Sequence, residues 1–369
     1  MNSDERYELI TRGLQEVIGG HNLRALLDVR DPEIYWRTAP TGKIHIGYLI
    51  PMLKIRDCVN AGCNVTILFA DLHAYLDNMK STLEQVNYRT EYYKRMISSM
   101  LTRLGVNMSR IKFVKGTDYQ LEKDIMIEMF KLMNVTHVKQ AQKAGSEVVK
   151  QSDDPLVSSL IYPMLQALDE KYLNADAELG GIDQRKIFGY ARDYLPKIGI
   201  ERKFTHLMNP IVSISRKKKV KTDELDKMSS SDSSGKIEIL DSPEKIMDSA
   251  NKIFCSDGVI ADNSALYLIK IFIFPINGFF ELIRNEKDGG NQIFYNYLDL
   301  EHMVSLGSKN NGIHPSDLKI SIAHFFSDFL EPIRNEFSSE ENLNLISLSY
   351  ISSILTASGL PTEASTNAV

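Results

Sequence analysis

Three cysteines among 369 residues leave no room for a disulfide framework. Cys58, Cys63 and Cys255 match no zinc-ligand spacing, so reduced thiols in a cytoplasmic protein without a dedicated metal site are expected. Long apolar runs are also missing. The most apolar stretch, residues 266–280, is broken by Lys270 and Pro275 and is too short to span a bilayer, so no membrane partner is expected. The first residues are acidic and lack an apolar stretch, which argues against a secretory leader. Positive charge is not in excess either. At a net charge of −5, a polyanionic partner must bind a local basic patch rather than the whole surface. What remains, 43% apolar and 25% charged, suits a soluble globular chain long enough for two domains.

The chain is organised around residues 35–49, which read as strand, loop and helix start. Residues 33–38 are aromatic and β-branched, as in a buried strand. Pro40, Thr41 and Gly42 end it. His45, Ile46 and Gly47 lead into a helix whose start is limited by Pro51. Such a start favours phosphate, and Gly47 lets a flat ring or phosphate come close.

Before this stretch, periodicity predicts a helix over residues 4–18, closed by Gly19 and Gly20, and a short one over 23–29. After it come a buried strand at 64–70, a helix over 82–104, a strand at 110–115 and a helix over 119–133. The alternation argues for an α/β fold with a doubly wound parallel sheet. Residues 141–151 read as an exposed connector. Asp153, Asp154 and Pro155 start a largely buried helix to about residue 173. On it Tyr162, Gln166 and Asp169 fall on one face. That polar row is either a solvent-facing stripe or the wall of a polar pocket. A strand at 175–179, a tight turn at Gly180–Gly181 and a helix start at Asp183 and Gln184 offer a second ligand position. The last strand of this half is placed at 206–212.

Residues 215–232 then lose almost all apolar content. A basic run at 216–221 reads as a solvated loop, whereas Lys227 beside three serines suits a polyphosphate. Helical patterns follow at 243–254, 265–274, 318–330 and 343–355. The assigned organisation is a catalytic domain over 1–212 with a connector near 120–150, a mobile loop and linker over 213–240, a helical domain over 241–358, and a disordered tail over 359–369.

Pro-Thr-Gly-Lys-Ile-His-Ile-Gly-Tyr at 40–48 resembles the HIGH signature of class I aminoacyl-tRNA synthetases. Lys227-Met228-Ser229-Ser230-Ser231 resembles their KMSKS signature. With Asp71-Leu72-His73-Ala74-Tyr75-Leu76, the stretch 162–169 and Gly180-Gly181-Ile182-Asp183-Gln184-Arg185-Lys186, the chain is similar to the tyrosyl family of the archaeal and eukaryotic cytoplasmic branch, from about residue 5 to 336. The resemblance implies a Rossmann-like catalytic domain, an anticodon-binding helical domain, and a homodimer using L-tyrosine, tRNA(Tyr) and ATP with its Mg²⁺. It implies that Tyr35 and Asp169 hold the phenolic hydroxyl and that Tyr162, Gln166 and Gln184 hold the amino group. Pro40, Gly42, His45, Gly47 and Tyr48 would meet ATP, Asp183 its ribose, and Lys227, Met228, Ser229 and Ser230 the phosphates. Of these, His45, Lys227, Ser229 and Ser230 carry the catalytic roles. Lys143, Lys186, Asp288 and Asp317 would meet tRNA.

The sequence departs from the family pattern at several points. Tyr48 replaces the second histidine of HIGH and Ser230 the second lysine of KMSKS. Arg37 stands where relatives mostly have glycine. Residues 216–226 resemble an insertion, and Asp288 replaces an aromatic. The resemblance also implies a member without the C-terminal domain appended in animals. Two other classes compete: a different HIGH-type nucleotidyl transferase, and a non-catalytic nucleic-acid-binding or signalling protein. The helical part after Lys227 and the polar pocket oppose the first. His45, Lys227, Asp169 and Gln184 oppose the second. Tryptophanyl relatives share the fold, but their substrate has no phenol for Asp169.

Overall fold

A computed structural model describes residues 1–77, 81–149, 154–201, 203–211 and 236–350. Six strands make one sheet: β1 Glu16–Ile18, β2 Glu33–Thr38, β3 Asn64–Phe69, β4 Ile111–Lys115, β5 Ala177–Gly181 and β6 Thr205–Asn209. Their order is β1-β6-β5-β2-β3-β4. All neighbours run parallel except the edge pair of β1 and β6. The doubly wound parallel sheet is therefore present. The chain moves outward from β2 to β4, then lays β5 and β6 on the other side. The order reverses between β2 and β5, so their C-terminal ends flank the crevice where such sheets bind ligands.

Strand alternation gives the sheet two unlike faces. On one, Ile34, Trp36, Ile67, Leu179 and Leu207 join the main core, together with helices Leu49–Asn60 and Leu83–Arg103. On the other, Tyr35 pairs in register with Glu178, and Glu178 with His206. All three are buried. Helix Val157–Tyr172 supplies partners to this polar row: Gln166 to Glu178, and Glu170 to His206.

Helix Leu83–Arg103 starts with a Thr82–Gln85 capping box and ties the sheet to the C-terminal part. Arg89 donates to the Ser349 carbonyl at 2.7 Å, Arg95 to Asn342 at 2.9 Å and Arg103 to the Phe329 carbonyl at 3.1 Å. One continuous core thus runs through helices Pro315–Glu336 and Glu340–Ser349.

Several sequence expectations are corrected. The first helix stops at Thr11, because Gly13 adopts a φ of +70°; residues 16–18 then form an antiparallel edge strand. The helix expected from residue 119 begins at Lys123, which leaves Tyr119 and Gln120 in the preceding turn. The expected connector holds the end of helix Val138–Gly145, whose Ala141, Ala144 and Gly145 are buried. The long polar-faced helix begins two residues beyond Pro155, with Leu156 exposed at its cap. The C-terminal half is not purely helical, since strands Phe280–Leu282 and Gln292–Phe294 pair as a hairpin. The motif at 227–231, the basic run at 216–226 and the tail lie outside the described residues.

Gly180 and Gly181 end β5 rather than forming a tight turn. A Cβ on Gly180 would stand 2.7 Å from Cζ of Phe188, which is fully buried. Gly180→Ala is therefore expected to destabilise the fold by about 1–3 kcal/mol through overpacking, as read by urea unfolding. An unchanged midpoint would show that Phe188 moves freely.

Candidate active site

The polar face of the sheet carries the residues expected to hold the amino acid. Tyr35, fully buried on β2, donates its hydroxyl to Glu178 Oε2 at 2.5 Å. Gln166 Nε2 reaches Glu178 Oε1 at 3.2 Å and Gln184 Oε1 at 3.1 Å. Tyr162, Gln166 and Asp169 span two turns of helix Val157–Tyr172, about 10 Å from end to end. The three are buried, so the polar row is not a solvent-facing stripe. Tyr162 meets the buried His73 edge to face at 4.6 Å.

At the deep end, Asp169 Oδ1 accepts from Tyr119 at 2.6 Å and from Gln120 at 2.7 Å. Its Oδ2 has no hydrogen-bond partner among the described residues. The turn that brings Tyr119 and Gln120 is fixed by Asp71, at the end of β3. Asp71 accepts from the Thr117 N–H at 3.0 Å and from the Thr117 hydroxyl at 2.5 Å. Burial pushes the Asp169 carboxyl up to about 6, against the opposing influence of Arg37, Tyr119 and Gln120. Burial pushes Glu178 further, to about 8. Near neutral pH, Asp169 is therefore the charged member of these two.

Glu170, Glu178 and His206 offer ligand atoms within 4.8 Å of one another. His206 Nε2 lies 2.8 Å from Glu170 Oε1, and Glu178 is engaged by Tyr35 and Gln166. The cluster forms a hydrogen-bonded floor behind the pocket.

A cavity of about 300 Å³ opens on the far side of β2. Trp36, Thr38, His45, Gly47, Tyr48, Gly181, Asp183 and Asn209 are among its lining residues. His45 caps the short 3₁₀ turn Ile46–Tyr48, its Nδ1 accepting the Gly47 N–H at 3.2 Å. That bond assigns the ring proton to Nε2. Burial, then the nearby Lys236 charge, lowers the His45 pKa to about 3. His45 is thus a neutral N–H donor at the cavity. The Tyr48 hydroxyl turns to Tyr93 at 3.2 Å and Thr38 at 3.5 Å.

Pro40 and Gly42 do not line this cavity. The Gly42 carbonyl instead accepts from Tyr93 and Tyr350, at 2.7 and 2.8 Å. Residues following the 227–231 motif are bonded directly to the His45 stretch: the Ile46 N–H to the Ile237 carbonyl and the Ile239 N–H to the Ile44 carbonyl, each at 3.0 Å.

The expected tRNA residues fall into two groups. Lys186 donates to Ser146 at 2.8 Å, and Ser146 donates to the Lys143 carbonyl at 3.0 Å, which brings the two exposed lysines to one surface. Asp288 is exposed at the hairpin turn, and Asp317 lies in the first turn of helix Pro315–Glu336. Ser321 of that helix accepts the Ile283 N–H at 2.8 Å and so holds the hairpin against it.

Sequence reasoning missed Glu178, Tyr119 and Gln120. Glu178 had one available signal, a carboxylate inside an otherwise apolar buried strand. Tyr119 and Gln120 had none, because only the sheet order brings them to Asp169.

A family model described as class I tRNA synthetases (W and Y) matches residues 28–331. The chain is 46% identical over 346 residues to a cytoplasmic tyrosine–tRNA ligase of Gallus gallus, a match covering 94% of this chain and 63% of that protein. It is 41% identical over 351 residues to the cytoplasmic tyrosine–tRNA ligase of Saccharomyces cerevisiae, covering 92% and 86%. A crystal structure of tyrosyl-tRNA synthetase complexed with L-tyrosine, from Archaeoglobus fulgidus, superposes with a TM-score of 0.79 at 34% identity, covering 90% of this chain and 99% of that one. The chain spans somewhat less than two thirds of the length of the vertebrate relatives it matches. No helix among the described residues is long and apolar enough to cross a membrane.

The buried His45 gives a direct check of the cavity's electrostatics. Its ring is expected to stay neutral between pH 8 and pH 5, as followed by NMR of the imidazole resonances. A titration midpoint between 6 and 7 would mean that His45 is open to water.

Proposed function

Because the chain belongs to the class I tRNA synthetases of the tryptophan and tyrosine type, we propose that it is a cytoplasmic tyrosine–tRNA ligase acting on L-tyrosine, ATP and tRNA(Tyr). One observation carries the choice of amino acid. Asp169 Oδ2 is buried without a hydrogen-bond partner among the described residues, at the end of a polar row running from Tyr162. A phenolic hydroxyl can donate to that oxygen and still accept from a neighbouring donor, whereas an indole N–H can only donate. Tyr35 closes the same end, and Tyr162, Gln166 and Gln184 receive the amino group at the other.

The reaction runs in two steps. The tyrosine carboxylate attacks the α-phosphate of ATP, and pyrophosphate leaves with its bonding electron pair. The terminal ribose hydroxyl of the tRNA then attacks the carbonyl carbon of the adenylate, and AMP leaves. No protein nucleophile is required; positioning and charge stabilisation supply the acceleration. Neutral His45 donates Nε2–H to phosphate. Gly47 and Tyr48 flank the nucleotide, and Asp183 takes the ribose. Lys227, Met228, Ser229 and Ser230 act on the phosphates, and this role is supported by the bonding of residues 237 and 239 to the His45 stretch. Mg²⁺ arrives with ATP and neutralises phosphate charge.

We assign residues 1–212 to catalysis and 241–358 to anticodon binding. Lys143 and Lys186 face the acceptor end, and Asp288 and Asp317 the anticodon. Homodimer formation is supported by exposed apolar side chains near helix Lys123–Val135: Leu121 is 63% exposed, Phe130 60% and Val138 58%.

Tyrosine-dependent exchange of pyrophosphate into ATP tests the proposal. Exchange is expected with tyrosine and not with tryptophan, and without added tRNA. Folded protein that exchanges with neither amino acid would overturn the ligase assignment.

A further inference from the structure

We propose that Arg37 is a third phenol-recognising residue, donating an N–H to the tyrosine hydroxyl oxygen while Asp169 accepts the hydroxyl proton. The inference rests on tyrosine as the substrate.

Arg37 lies two residues beyond Tyr35 on β2, so both side chains leave the same face of the sheet. The Arg37 side chain is only 6% exposed. Its guanidinium lies over the Tyr162 ring, 5.6 Å from the centroid. Its Nε faces Asp169 Oδ2 at 4.0 Å. That separation is too long for a hydrogen bond. Nε and Nη2 of Arg37, like Oδ2 of Asp169, are buried without a hydrogen-bond partner among the described residues. Leaving a charged pair buried but unjoined is costly.

One oxygen atom resolves the arrangement. Placed about 2.8 Å from each group, it spans the gap and hydrogen-bonds both. A phenolic hydroxyl has the matching valence, with one proton for Oδ2 and two lone pairs, one of them for Nε. The other polar groups at this end are already engaged. Tyr35 is turned to Glu178, and Asp169 Oδ1 is taken by Tyr119 and Gln120. The positive charge also has support. Burial opposes it, and the Asp169 carboxylate facing the guanidinium favours it. Phenylalanine would leave both Nε and Oδ2 unjoined.

Calorimetric binding of tyrosine and phenylalanine to wild type and Arg37→Met tests the assignment. The variant is expected to bind tyrosine roughly 10- to 100-fold more weakly, the loss typical of a hydrogen bond to a charged group, with phenylalanine affinity unchanged. Equal or tighter tyrosine binding by Arg37→Met would overturn the assignment and make the arginine an obstruction. A wild-type protein that binds no tyrosine would overturn the ligase reading and this inference together. A co-crystal structure of the wild-type protein with tyrosine keeps the test open even if Arg37→Met fails to fold. A phenolic oxygen within about 3.2 Å of Arg37 Nε supports the assignment. A guanidinium displaced from Asp169 by the ring contradicts it.

Discussion

Two buried polar rows have to satisfy each other, and the rest of the molecule is arranged so that they do. Tyr35, Glu178 and His206 lie in register across three strands. Gln166, Asp169 and Glu170 face them from one helix. A buried donor or acceptor left without a partner costs about 1–3 kcal/mol. Glu178 is joined to Tyr35 and Gln166, and His206 through Nε2 to Glu170, so the back row is largely satisfied, with His206 Nδ1 the atom of that row without a hydrogen-bond partner among the described residues. The front is not. Asp169 Oδ2, Gln166 Oε1 and Nε and Nη2 of Arg37 are buried there without a hydrogen-bond partner among the described residues. On the proposed reading selectivity follows from that division, with a largely satisfied floor beneath an unsatisfied rim.

The nucleotide side works on a different principle. His45 is neutral because it is buried, and its proton is directed by a backbone N–H. It acts as an oriented dipole and not as a charge. Because side chains alternate along β2, the strand serves both of its faces. Tyr35 and Arg37 lie on the polar face, proposed to meet the amino acid, while Trp36 and Thr38 line the His45 cavity, proposed to take the nucleotide. On the proposed reading the two substrates are held on either side of one strand, near the point where strand order reverses.

Much of this was legible in the sequence. The bounds of β2, the start of β3, the order of the two signatures and the face shared by Tyr162, Gln166 and Asp169 all follow from local pattern. Local pattern failed where the answer depended on distant strands. A three-residue edge strand after Gly13 looks helical until β6 is there to pair with it. Glu178 has no evident purpose until register sets it beside Tyr35. Arg37 could be singled out as a departure from relatives, but its counterpart Asp169 lies 132 positions further along the chain. Asp169 in turn depends on Tyr119 and Gln120, which were read as part of a helix and lie in the turn before it.

The central claim is that the unsatisfied rim, and not the size of the pocket, selects the amino acid. The ratio of kcat/KM for tyrosine over phenylalanine in adenylate formation tests it most directly. A site built to hydrogen-bond a hydroxyl rejects the analogue lacking it by roughly 10⁴–10⁵, the range known for tyrosyl enzymes, and that is the predicted ratio. A ratio near 10 would contradict the account, since shape alone could supply it.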